Sequence, residues 1–511
     1  MKSMSKKKSK GKDGVSQECL LIGAEVLAAP LTKIINNSIT SGIFPADWKE
    51  AIVVPILKKG DSKDPKNYRP VSCLTAASKV LEKVVCQQLT KYIEKHKLLP
   101  NSQHGFRSGR STMTALSSMQ KNWIKNAEDG LMTGVLVWDL SAAFDTLDVN
   151  LFLKKLSLYG ADELTLSWFR SFLTDRTQRV RIGSSLSNAL TLTSGVPQGG
   201  ILSPIVFTLY TADMELWLKK SKLTNFADDT ETDFSSKNKA EIKVSLEEDA
   251  VQVLNFMASN GLVANQSKTE FLVLNEKNKE DRILYQIKVG EAQINRSDST
   301  KLLGINIDDA QDWSNHYKSL KNVLNQRLFV IRRVQRQLPP EKIMSIVHSL
   351  WVSKLRYGLQ LCTKVRLSTE ERKCTKMTSL QLTQNRMLRA INNSKNKDRI
   401  SIESMLNKFD ILSVNQLAAS IKLIEVWKSQ NVPDYPLLLD PYNQTPTTLN
   451  LDLRPKPSRI FNDSARLQIT KYSFNVDSAR LWNHAPREVT SAPTLEAAKK
   501  AVLTHVKTLP V

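Results

Sequence analysis

Apolar residues recur at helical spacing soon after the basic N-terminus. Leu20, Leu27, Leu31, Ile34 and Ile35 share a face, and Gly42 stops the run. A short apolar run, Ala51 to Leu57, reads as a strand and leads into a basic polar loop from Lys58 to Asn67. Helical periodicity returns from Ala76 to Lys95, with Val80, Val84, Leu89 and Ile93 on its core side. The uninterrupted stretch Val135 to Trp138 predicts a buried strand that ends at Asp139. Strands and helices then alternate. A helix is predicted over 162–173, a hairpin of 178–182 with 189–193, and a helix from Pro204 to about Lys219 with Ser203 as its N-cap. Short strands at 222–226 and 230–234 precede a helix over 240–259, which Gly261 stops, and a strand at 270–274. From Trp313 to Gln337 the character changes. Leu320, Leu324, Leu328, Ile331, Val334 and Leu338 form one face, while Arg327, Arg332, Arg333 and Arg336 decorate the others, and Pro339-Pro340 ends the helix. More helix follows to about Val426, then a Pro/Asn/Thr-rich linker over 433–457 and a mixed C-terminal region without clear periodicity.

Charge changes this picture more than composition does. The 511 residues carry a formal net charge of +23, which points to a polyanionic partner, nucleic acid before membrane. No window is apolar over about 18 residues, which argues against a transmembrane span. The Lys-rich tail 1–14 reads as unstructured, and with Gln17 and Glu18 following it does not make a secretory leader. An intracellular location, nucleus or cytoplasm, is therefore expected. The five cysteines are scattered, odd in number and without metal-knuckle spacing, which argues against a disulfide framework and a zinc site.

The candidate chemistry lies in carboxylates. Asp228 and Asp229 occupy the turn between two predicted strands, and Asp139 ends a third. An Asp-Asp pair alone is a common polar turn. If these strands lie side by side the three acids converge, and such a cluster tolerates its own repulsion only with cations between. Hard oxygen ligands open to phosphate suit two Mg²⁺, with Mn²⁺ as the other candidate, and in-line nucleotidyl transfer.

The motifs occur in a fixed succession: Trp48 through Lys59 with Asn67-Tyr68-Arg69-Pro70, His104-Gly105-Phe106-Arg107, Asp139 through Asp145, Gly195-Val196-Pro197-Gln198-Gly199, Phe226-Ala227-Asp228-Asp229, Asn260-Gly261-Leu262 to Lys268-Thr269, and Leu302-Leu303-Gly304. In that order the sequence resembles the reverse transcriptase of non-LTR, LINE-type retrotransposons of the jockey or CR1 sort, over about Phe44 to Gly358. The resemblance implies an α+β right-hand polymerase of fingers, palm and thumb, preceded by a helical N-terminal segment and followed by a C-terminal extension. It divides the chain into a tail (1–14), an N-terminal extension with fingers (15–134), a palm (135–310), a helical thumb with connection (311–430) and an extension of unassigned role (431–511).

It also implies roles. Asp139 and Asp228 would bridge both metals, the Leu140 carbonyl would complete one shell, and Asp229 would be a weaker metal ligand that mainly orients the site. Arg107, Arg110 and Arg69 would hold the triphosphate. Phe144 would stand against the sugar C2′ and exclude ribonucleotides. Gln198 would meet the nucleotide or nascent pair, with Gly199 letting backbone approach the template. Lys268 would protonate pyrophosphate. Leu303 and Gly304 would grip the primer, and Arg327, Arg332, Arg333 and Arg336 would track duplex phosphates. The partners implied are an RNA template, a DNA primer and dNTP, with no membrane. Two departures stand out. The hairpin opens with Phe226 where the family usually has Tyr, and no apurinic-type endonuclease motif is found, which would fit a truncated copy, a fragment of a longer reading frame, or a lineage that takes its nick from a separate chain. The competing readings are a non-catalytic RNA-binding remnant, a maturase, or an RNA polymerase on the same palm.

Overall fold

The computed structural model describes every residue except 3, 5–8, 59, 142–143, 277–284, 395–397, 434 and 437–472. Most of the expected linker, part of the basic tail and Ala142-Ala143 thus lie outside the described residues. Where the tail is described it is tied down, contrary to the expectation of an unstructured segment: Lys12 pairs with Glu50 at 2.9 Å.

Helices α1 (Gln17–Ile22) and α2 (Ala24–Ser41) open the chain, with Ser16 capping the first and Gly42, at φ +68°, ending the second. Strand β1 (Glu50–Leu57) pairs antiparallel with β2 (Tyr68–Cys73), and helix α3 (Ala76–Lys95) follows. Helix α4 (Thr112–Glu128) leads into β3 (Met132–Trp138) and the two-residue β4 (Leu140–Ser141). Helices α5 (Val149–Leu158) and α6 (Glu163–Leu173) precede β5 (Thr177–Ile182), which runs parallel to β1. The expected hairpin partner is split in two, β6 (Ser185–Leu186) and β7 (Leu190–Thr191), both paired with β5.

Helix α7 (Ser203–Tyr210) is shorter than predicted, and a 3₁₀ turn, Ala212–Trp217, completes the stretch. Ser203 is not its side-chain cap, because its hydroxyl donates to the Pro197 carbonyl at 2.8 Å. The capping is done from α3 instead: the buried Glu82 carboxylate accepts the Ile201 and Leu202 N–H groups at 2.6 and 3.3 Å. Burial raises the pKa of Glu82, and those two N–H groups oppose the rise.

The palm sheet is completed by β8 (Lys222–Phe226), β9 (Asp229–Ser236), β11 (Glu270–Leu274), β12 (Gln286–Val289) and β13 (Ala292–Ser297), while β10 (Val263–Ala264) pairs with β4. Its strand order is β12-β13-β11-β3-β9-β8, with β3 at the centre as its apolar run requires. Helix α8 (Lys239–Ser259) covers the face bearing Leu136 and Trp138. It packs so closely that a Cβ on Gly134 would lie 2.4 Å from Ile242. Helix α4 covers the opposite face, where Ala115, Leu116, Met119 and Trp123 meet Val135, Leu272 and Leu274. β14 (Ser299–Leu302) and β15 (Ile305–Asp308) form a small hairpin leading to α9 (Ser314–Val334), whose Leu320, Leu324, Leu328 and Ile331 are buried as the periodicity predicts, whereas Val334 is half-buried and Leu338, past the helix end, is exposed.

The C-terminus differs from the mixed region expected. Residues 473–511 are helical, with Phe474–His484 and Leu495–Val506 packed on Val414–Asn431 in one core with the thumb. A buried ion pair, Lys422 to Asp477 at 2.7 Å, and a Trp427 bond to the Ala492 carbonyl at 3.0 Å tie them together. The core therefore has no break at the expected 430/431 boundary. Among the described residues no helix is long and apolar enough to cross a membrane.

β9 carries an oddity. Its alternation sets Glu231 and Asp233 on the face that α4 covers, opposite Val137 and Val135, and both are buried. Desolvation raises Asp233 to about 7 and Glu231 well above its usual range. A carboxyl whose folded pKa is raised takes up a proton on folding, so stability is greatest at low pH and falls as pH rises. For Asp233 the fall begins near the unfolded value of 3.8 and runs to about 7, and Glu231 extends it upward. Glu231→Gln should flatten the part of the decline in Tm that lies above about pH 7, beyond the range of Asp233, in thermal melts. An unchanged slope would mean that these acids are not the cause.

Candidate active site

A two-residue turn joins β8 to β9, with Ala227 and Asp228 at its tip and Phe226 paired to Asp229. Ala227 has φ +60°, a strained value for a residue with a Cβ, and space explains why a small one stands there. The loop before α4 passes directly beneath: Gly105 lies so close that a Cβ on it would be 2.3 Å from the Ala227 nitrogen. Bonds from Asn225 N to the Ser102 carbonyl and from His104 N to the Asn225 carbonyl, both 2.8 Å, hold the two together.

Asp139 lies one residue beyond the Trp138–Thr230 pair, two beyond Val137, and so continues the face that carries Asp229. Asp228 and Asp229 both sense Asp139. Asp229 is raised to about 6, by desolvation first and then by Asp228 and Asp139. Asp228 is also raised, chiefly by desolvation and further by Asp139, against the lowering pull of Arg69 and Lys58. Both Asp228 and Asp229 still reach solvent, so water screens part of this repulsion.

The convergence expected from sequence is incomplete. Among the described residues no three His, Cys, Asp or Glu side chains are gathered closely enough to hold a metal ion. Like charges resist closing, and the Asp139 carboxylate instead faces Lys268 Nζ at 3.4 Å. The donor set itself, the carboxylate oxygens of Asp139, Asp228 and Asp229, has the hard-ligand chemistry of Mg²⁺. Leu140 pairs with Ala264, and the Asp139 carbonyl accepts the Asn265 N–H at 2.8 Å, which holds the 266–268 turn carrying Lys268 against the acids.

Two expected phosphate ligands are not brought to the site. The Arg107 side chain is buried, pairs with Glu94 at 3.2 Å and donates to the Pro100 carbonyl at 2.8 Å. Arg110 donates to the Asn101 carbonyl at 2.6 Å and to its side chain at 2.9 Å. Both guanidiniums brace the loop under the hairpin. Arg69 does face the acids, and with it Lys58, which sequence reading passed over. In the β1–β2 ladder Ile56 opposes Arg69, so residues 56, 58, 67 and 69 share a face, and that alternation was the available signal.

Phe144 stacks on Phe207 of α7, ring centroids 4.7 Å apart and planes at 29°. Gln198 bonds to Asp145, a residue that sequence reading left without a role. Gly199 serves β2 and not an open groove, since a Cβ there would sit 2.6 Å from the Ser72 carbonyl oxygen. Leu303 and Gly304 form the β14–β15 turn with φ +46° and +80°, and the Tyr357 hydroxyl donates to the Leu303 carbonyl. Arg327 donates to the Leu350 carbonyl, whereas Arg332, Arg333 and Arg336 are exposed at the end of α9 and beyond it.

A sheet with acids at one end, a second sheet ahead of it and a helical unit behind is the right-hand polymerase architecture. Residues 56–307 match the family described as reverse transcriptase (RNA-dependent DNA polymerase). The probable RNA-directed DNA polymerase from transposon BS of Drosophila melanogaster is 27% identical over 76% of this chain and 43% of its own length. That from transposon X-element of the same organism is 25% identical over 65% of this chain and 37% of its own. Among solved structures, apo telomerase from Candida tropicalis superposes with a TM-score of 0.41 at 14% identity, covering 77% of this chain and 66% of that one. Just under half of the chain, residues 56–307, is thus similar to the reverse transcriptase family, its relatives include RNA-directed DNA polymerases of transposons, and it spans less than half the length of those two transposon relatives.

Proposed function

We propose that the chain is an RNA-directed DNA polymerase that extends a DNA 3′ end on an RNA template with dNTP, serving target-primed retrotransposition. The observation that carries this reading is the placement of Asp139 and Asp229 on one sheet face beside Asp228, with Lys268, Lys58 and Arg69 around them. Asp139 and Asp228 would hold two divalent ions, with the Leu140 carbonyl in one shell and Asp229 orienting the set. Bound there, Mg²⁺ supplies the charge that activates the primer hydroxyl and neutralises the triphosphate. Lys268 stands where it can give a proton to the departing pyrophosphate once its contact with Asp139 is released. Arg69 and Lys58 take the phosphate role expected of Arg107 and Arg110. The exposed arginines at the end of α9 hold the duplex backbone without reading its sequence. The strongly basic chain would meet its nucleic acids in the nucleus or cytoplasm, with nicking left to a separate or attached endonuclease.

The test is dTTP incorporation by the full chain on oligo(dT) annealed to poly(rA), with Mg²⁺ and with excess chelator. Incorporation that chelator abolishes is expected. None above the chelated sample would leave the RNA-binding remnant, the reading that the open carboxylate cluster favours.

A second measurement bears on the ions. Below about pH 6 a proton on Asp229 competes with metal. Saturating Mg²⁺ should therefore raise Tm by about 1–2 °C near neutral pH and by less near pH 5. Equal shifts at both pH values would place the ions elsewhere.

A further inference from the structure

Gln198 is held at two atoms by two different elements. Its backbone carbonyl accepts the Ser72 N–H of β2 at 2.7 Å. Its side-chain Nε2 donates to both carboxylate oxygens of Asp145, each at 2.9 Å. Asp145 is anchored in turn, for its own carbonyl accepts the Ser194 hydroxyl at 3.1 Å. Gly195, at φ +83°, lets the loop come so near that a Cβ would stand 2.6 Å from that carbonyl oxygen. The flanking backbone is laced as well, Gly195 N to the Leu147 carbonyl and Val196 N to the Phe144 carbonyl, both at 2.8 Å.

A primary amide has a donor end and an acceptor end, whereas a carboxylate only accepts. Asp145 therefore decides which end of Gln198 faces it, and charge assistance makes the choice firm. Nε2 is committed, and the carbonyl Oε1 is turned away. No hydrogen bond from a protein donor to Oε1 occurs among the described residues. The loop beside Phe144 thus offers an acceptor and withholds a donor. Without Asp145 the amide could turn over, and a long rotatable side chain would pay ordering entropy at each binding event.

We propose that Asp145 is a positioning residue for nucleotide selection, locking Gln198 so that its Oε1 accepts a hydrogen bond from the bound nucleotide. This rests on the polymerase reading given above. Its signature is a KM effect on the incoming nucleotide, because the contact orders the ground-state complex, whereas general damage to the loop would lower kcat and Tm.

The test uses the full chain and steady-state dTTP incorporation on poly(rA) with oligo(dT), with Asp228→Ala as the blank. Asp145→Asn, which accepts either face of the amide, should raise the KM for dTTP about fivefold with kcat within about twofold. Gln198→Glu sets two carboxylates against each other and should raise KM about tenfold or more. The exchanged pair Asp145→Asn with Gln198→Glu restores donor to acceptor, now from Asn to Glu. It leaves the second Glu oxygen facing the nucleotide at unchanged total charge, so KM should return to within about twofold of the original. A wild-type KM for Asp145→Asn, or an exchanged pair no better than Gln198→Glu alone, overturns the proposal. If Asp145→Asn does not fold, the comparison of Gln198→Glu with the exchanged pair still decides. Wild-type activity with unmoved KM values removes this inference alone. Wild-type incorporation no higher than the blank removes the polymerase reading and this inference with it.

Discussion

Asp139→Asn and Asp228→Ala should each cut dNTP incorporation by about a thousandfold or more, equivalent to ~4 kcal/mol of lost transition-state stabilisation. On the proposed reading both changes would remove a charged oxygen ligand that no neighbour can replace, since the other acids belong to the same set. Asp229→Asn should cost less, roughly ten- to a hundredfold, because its proposed role is to orient the set more than to bind. Binding of an RNA–DNA duplex should persist in all three, or tighten slightly. The chain's net charge of +23 lies mostly elsewhere, and each change removes one negative charge facing the phosphates. Single-turnover incorporation together with filter binding at fixed salt separates the two effects. A loss of binding that parallels the loss of activity would mean that the acids support the fold, and not the chemistry.

Much of this arrangement is legible in the chain because its signals are local. The apolar run of β3 demands a central buried strand, the Asp-Asp turn demands a hairpin, and the leucine face of α9 demands a covered helix. What failed to show was decided by tertiary partners. Arg107 and Arg110 look like phosphate ligands in a Gly-rich loop, but Glu94 at the end of α3 and the carbonyls of residues 100 and 101 claim them. Glu231 and Asp233 alternate as an exposed strand face would. They are buried because α4 closes over that face of the sheet, which periodicity along β9 cannot foresee. Likewise Ser203 has the chemistry of a cap, and only the approach of α3 hands that task to Glu82.

Phe144→Val should let ribonucleotides in, raising the ratio of rNTP to dNTP efficiency about a hundredfold, or ~2.7 kcal/mol. Rigidity decides the size of the effect. A ring excludes a hydroxyl only if it cannot yield, since moving a soft side chain costs little. Phe144 is stacked on Phe207, which is fully buried in α7, and its backbone carbonyl is bound to Val196 in the Gln198 loop. The stack contributes on the order of 1 kcal/mol beyond burial and holds the ring as a wall. Val keeps the position apolar while deleting the outer atoms of that wall. The companion change Phe207→Leu leaves the ring of Phe144 present but unsupported, and should relax sugar discrimination only partly, by about three- to tenfold. Measuring kcat/KM for dTTP and UTP on the same poly(rA) template tests both together. If Phe144→Val discriminates as the parent does, the wall lies elsewhere. If Phe207→Leu matches it, support and not bulk is the limiting property.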